Sequence, residues 1–152
     1  MPTDTQSPAG SGNNQSKFDN YSLELNGNNE FVNFGNSSLL NFGNGTDDFP
    51  FSLSIWFFRP SSPANDSARI LIKDGEWELR IAGSSSNSLY LQLNDSNKYR
   101  RRSGTFTGTG WHHIAATYTG AGDATDYGIK IYVDGVRIDD TNLSSGNYEA
   151  MD

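Results

Sequence analysis

With 152 residues, no cysteine and a formal net charge of −7, the chain suits one domain with a real core and is short for two. Few, scattered Lys and Arg argue against nucleic acid or an anionic membrane surface as the main partner, since either needs a basic stripe, and the missing thiols exclude disulfides, thiolate zinc sites and cysteine nucleophiles. A 12% aromatic content, 16 glycines and the lack of long amphipathic periods point to an all-β fold.

Residues 1–19 are Ser, Gly, Asn, Gln, Pro and Thr with one late aromatic, Phe18. Such a segment cannot bury enough apolar surface to offset its ordering entropy and is expected to be a polar tail, with the folded domain spanning 20–152. The N-terminus lacks the basic and apolar regions of a signal peptide, and no later run is long enough to span a bilayer, so no membrane insertion is expected.

Tyr21, Leu23 and Leu25 alternate with polar residues before Asn26-Gly27 breaks the run, and Phe31 to Phe34 reads as a second short strand. Residues 35–50 form a long connection anchored by Leu39, Leu40 and Phe42. Phe51, Leu53, Ile55 and Phe57 share one face of the next strand, while Ser52, Ser54, Trp56 and Phe58 share the other. Aromatics on both faces predict a central strand covered twice.

Pro60 ends that strand, and 61–67 is a turn. Ile70–Ile72 leads to Lys73-Asp74-Gly75-Glu76, a hairpin candidate. Beyond it, Trp77, Leu79 and Ile81 are expected to face the core, with Glu76, Glu78 and Arg80 in solvent. Leu89, Leu91 and Leu93 form the next inward row, and Tyr90, Gln92 and Asn94 its outward face. His112 and His113 alternate faces and cannot act on one ligand, so one is expected to pack against Trp111 and be hydrogen-bonded.

Asp134-Gly135 between β-branched runs is a strong hairpin signal, because a type I′ turn needs positive φ at both central residues. The two-residue loop sets Val133 opposite Val136 and Ile131 opposite Ile138 on one buried face, with Lys130, Tyr132 and Arg137 on the other. Short strands recurring at intervals of about eight to twelve residues, separated by turn chemistry, describe an antiparallel sandwich.

The pieces Trp111-His-His-Ile-Ala-Ala-Thr-Tyr118 and Ile129-Lys-Ile-Tyr-Val-Asp-Gly-Val136 resemble the central signature of laminin G-like domains. These belong to the concanavalin A-like lectin/glucanase superfamily, which also includes pentraxins. Tyr21–Val32, Phe51–Phe57 and Ile70–Gly75 follow in matching order, so the resemblance covers residues 21–140. It implies a jelly-roll β-sandwich. Similar domains continue past the Val-Asp-Gly hairpin with further strands, so the domain is expected to be truncated at its C-terminus, and an open edge would recruit a partner strand or a second copy.

The same resemblance frames the chemistry. Glucanases of the superfamily carry an acidic cluster on one inner strand, since retaining hydrolysis needs two carboxyls about 5–5.5 Å apart. Glu76-Trp77-Glu78 is the nearest candidate, but the intervening Asp and a third acid are missing; a solvated strand face is favoured and no enzyme is expected. Lys73-Asp74-Gly75-Glu76 is similar to a pentraxin calcium loop, which implies Asp74 as a ligand of Ca2+. Gly75 departs from the Asn of that pattern, and ligands from a later loop would lie beyond residue 152. Asp95 is a second metal candidate on loop chemistry alone, because hard cations take several loop oxygens.

For a saccharide, the candidates are Tyr90, Gln92, Tyr99, Arg100 and Arg102, since sugars stack on rings and exchange hydrogen bonds with amides and guanidiniums. Two readings stay open. One is a non-enzymatic module that binds a glycan or glycoprotein surface, with or without calcium; its polar leader and lack of cysteine and export signal suit a phage or viral appendage, on a virion or outside a cell without classical export. The other is a ligand-free structural domain that docks a partner chain or self-associates through its open edge.

Overall fold

The computed structural model describes residues 23–25, 30–60, 67–82, 87–121 and 125–151. The chain divides into two units, Met1–Val32 and Asn33–Asp152. In the first, residues 23–25 and 30–32 are irregular backbone, and the expected tail at 1–19 lies outside the described residues. In the second, a 3-10 turn, Ser38–Leu40, precedes nine strands among the described residues. They are β1 (Phe51–Arg59), β2 (Ser67–Lys73), β3 (Trp77–Ala82), β4 (Ser88–Asp95), β5 (Lys98–Thr105), β6 (Gly110–Tyr118), β7 (Ile129–Val133), β8 (Val136–Arg137) and β9 (Asp139–Ser145).

The strands form two antiparallel sheets, one of four in the order β1-β6-β7-β8 and one of five in the order β2-β3-β4-β5-β9. Alternation decides what each sheet buries, because cross-strand partners share a face. In the five-stranded sheet Leu79 faces Leu91, Trp77 faces Leu93 and Ile81 faces Leu89. In the four-stranded sheet Ile114 faces Val133 and Ala116 faces Ile131. All are buried, and together with Phe51, Phe106, Tyr118 and Ile129 they make one continuous core. Phe42 stacks on Phe51 at 4.3 Å between centroids, and both lie within 5.8 Å of the Trp77 ring.

The last described segment also belongs to the core. Tyr148 and Met151 are buried, and Asp48 ties them down: its carboxylate accepts hydrogen bonds from the Tyr118 and Tyr148 hydroxyls, both at 2.6 Å, and from the Met151 N–H at 2.7 Å. Burial, followed by those bonds to Asp48, pushes both phenols well above their ordinary range.

The Asp134-Gly135 turn forms as expected, with positive φ at both residues, 51° and 82°, and Val133 paired to Val136. Val136, however, is exposed, because β8 is only two residues long at the sheet's rim. The expected strand at Phe31–Phe34 is not formed. There the Gly35 N–H turns back onto the Asn33 side chain at 2.7 Å, a local bond that competes with extended pairing. Among the described residues β1 stands at the end of its sheet and not at the centre, where its aromatics had put it.

Three side chains expected in solvent are in fact buried: Glu76, Glu78 and Tyr90. Glu76 accepts the Phe42 N–H at 3.1 Å, which pins the loop before β1 to the sheet end. Glu78 lies under Arg69, 3.1 Å away, and Arg80, 3.7 Å away. Tyr90 donates to Glu78 at 3.3 Å and is roofed by Arg101.

Candidate functional site

The residues expected to meet a saccharide do not share one surface. Along β5, Arg100 pairs with Leu93 and Arg102 with Leu91, so both arginines lie on the inner face. Tyr99 and Arg101 pair with Asn94 and Gln92 and lie on the outer face, with Tyr90. The structure therefore brings Tyr90, Gln92 and Tyr99 together and separates Arg100 and Arg102 from them.

Both inward arginines are occupied. Arg102 is buried, its Nε 2.5 Å from the Asp139 carboxylate, with further donors to the Thr125 carbonyl and to Asn142. Asp139 also accepts from Arg137 at 2.9 Å and from the Ile131 N–H at 2.7 Å. Burial alone would raise the Asp139 pKa, but the bonds from Arg137 and Arg102 outweigh it and hold the carboxyl below its ordinary range. Arg100 lies over the rings of Tyr148 and Tyr127, at 5.0 and 5.4 Å.

The acidic candidates stand apart from one another chemically. Asp74 is exposed at the β2–β3 turn. Asp95 accepts the Glu149 N–H at 3.0 Å and pairs with Lys98 at 3.4 Å. Among the described residues no group of three or more Asp, Glu, His or Cys side chains is placed to hold a metal ion. Glu76 and Glu78, already engaged by the Phe42 N–H and by Arg69, Arg80 and Tyr90, are likewise not placed as a free acid and base.

The outer face of the four-stranded sheet is different. β1 and β6 pair in register, setting Phe58 beside Trp111, Trp56 beside His113 and Ser54 beside Ala115. The side chains that alternate with core residues Phe51, Ile114 and Ala116 must point away from the core, and here they are large and aromatic. Trp56 is 65% exposed, Trp111 53% and Phe58 51%. Phe58 and Trp111 meet edge to face at 5.5 Å, and Trp56 lies 5.3 Å from the His113 ring.

Polar groups fix this platform. His113 Nε2 is 2.8 Å from Ser54 Oγ. Asp134, from the β7–β8 turn, accepts the His113 N–H at 2.9 Å and meets His112 Nδ1 at 2.7 Å. The His112 ring bond, then the His113 N–H, hold the Asp134 carboxyl below its usual range. His112 packs edge-on against Phe106 at 5.0 Å and not against Trp111. The signal for the platform was in the sequence: Trp56, Phe58 and Trp111 stand out of phase with the core residues of their strands, and it was read as a covered second face.

Compared with known proteins, residues 26–151 match the family described as the concanavalin A-like lectin/glucanases superfamily. No curated protein and no solved structure matches the chain.

Proposed function

We propose, from the premise that this chain belongs to the concanavalin A-like lectin/glucanase superfamily, that it is a non-enzymatic carbohydrate-recognition module whose ligand stacks on the Trp56–Phe58–Trp111 platform. Two neighbouring strands of a sheet hold exposed rings at fixed spacing, so little side-chain entropy is lost on binding. Sugar C–H faces pack on such rings, and His113 and Ser54 at the rim supply hydrogen-bond partners for hydroxyls. The observation that carries the reading is the exposure of three large aromatics, Trp56, Phe58 and Trp111, held side by side on one face of two paired strands.

A glycan array followed by calorimetry on the best hit tests this. Wild type is expected to bind one saccharide class, and Trp56→Ala or Trp111→Ala should each weaken binding by about tenfold or more, corresponding to about 1.4 kcal/mol or more. Both side chains are largely outside the core, so thermal stability should change by less than about 0.5 kcal/mol. Silence across the array together with a concentration-dependent oligomer would instead assign the platform to a partner chain, since exposed apolar patches of this kind also serve protein interfaces.

A further inference from the structure

We infer that the outer face of the five-stranded sheet is a second site, selective for the anionic groups of an acidic polysaccharide and independent of the aromatic platform. Register places three guanidiniums there. Arg69 on β2 lies directly opposite Arg80 on β3, Arg80 is opposite Tyr90 on β4, and Arg101 on β5 is opposite Gln92. Like charges directly across a strand pair repel, so this arrangement calls for negative charge above it.

The protein supplies only part of that charge. Glu78 is the one carboxylate that pairs with these arginines among the described residues, at 3.1 Å from Arg69 and 3.7 Å from Arg80. Arg101 has no carboxylate partner among them and instead lies over the rings of Tyr90 at 4.5 Å and Tyr99 at 5.6 Å. The buried Nε of Arg80 has no hydrogen-bond partner. Asp140 stands at the far side of the sheet, in the irregular pairing between β5 and β9 and four strands from Arg69. Three cations against one carboxylate leave a local surplus of positive charge on a chain whose net charge is −7.

That contrast identifies the occupant. A polyanion is repelled by the acidic remainder and focused onto this face. Guanidinium forks donate paired hydrogen bonds to carboxylate or sulfate oxygens in bidentate geometry, while Tyr99 and the amides of Gln92 and Asn94 provide a ring and hydroxyl partners beside them. The Arg69 side chain is 58% exposed, so its fork is available from solvent.

The test is retention on immobilised alginate (carboxylate) and dextran sulfate (sulfate), with neutral dextran as control, at low salt. Wild type should be held by at least one anionic support and pass through dextran; which support holds it distinguishes the two anions. Arg69→Gln with Arg101→Gln should lower affinity by about tenfold or more, and the single Arg69→Gln, at an exposed side chain, keeps the test valid if the double variant melts early. Trp56→Ala should be retained like wild type, which separates failure here from failure of the platform. Passage of wild type through both anionic supports would overturn the inference, as would co-elution of Arg69→Gln with wild type or loss of retention in Trp56→Ala.

Discussion

Asp139 shows how one buried carboxylate can organise three elements. It receives two arginines and a backbone N–H, so its removal strands the Arg102 charge in a dry environment. Asp139→Ala is expected to cost about 3–5 kcal/mol in urea unfolding. Because its folded pKa is depressed, the stabilisation is complete above the ordinary carboxylate value of about 4 and fades as pH falls through the lower folded value. The acid limb of a stability profile should therefore flatten in Asp139→Asn. The tyrosines at Asp48 act in the opposite sense. Their folded pKa values are raised, so their contribution is complete below the ordinary phenol value of about 10 and is lost as pH climbs past it. Tyr148→Phe should remove part of that alkaline loss while weakening the neutral protein by about 0.5–1.5 kcal/mol, one hydrogen bond's worth.

At the scale of strands and turns, the β7–β8 hairpin was legible because its turn chemistry is local. Only residues tolerant of positive φ fit between Val133 and Val136, and Asp-Gly supplies both. Gly135→Val should destabilise the domain by about 1–2 kcal/mol, measured by thermal melting, as the β-branched side chain resists φ near 82°. Gly104 is a stricter case that the sequence did not announce. At the β5–β9 irregularity its Cα sits against the Ile138 carbonyl, and any Cβ would clash with backbone. The inward rows Leu79–Ile81 and Leu89–Leu93 were also readable, since period-2 alternation is a property of the strand alone. Which strand stands at an edge is not local, and β1 was misplaced for that reason: its outward aromatics looked the same whether covered or bare. Tyr90, Glu76 and Glu78 were misassigned by the same blindness, because what buries them comes from other segments, Arg101 on β5, Phe42 in the early connection and Arg69 on β2.

For the domain as a whole, the family relationship and the two-sheet architecture followed from the order of short motifs, whereas the grouping of side chains on each sheet face did not. Arg100 and Arg102 were grouped with Tyr99 by proximity in sequence, and strand alternation sends them inward to Asp139, Tyr127 and Tyr148. With no convergent acidic group among the described residues, glycan binding by the platform should be unchanged when a chelator replaces calcium in the buffer, as titration calorimetry would read. The three tryptophans have a practical consequence of their own. Trp77 is buried and donates to the Leu40 carbonyl at 3.2 Å, while Trp56 and Trp111 stand bare. Intrinsic fluorescence should therefore split into a blue-shifted component shielded from acrylamide and a red-shifted one open to it. Ligand occupancy would dim or protect the second alone, and denaturation would report through the first, so a single unlabelled sample carries separate gauges of binding and of folding.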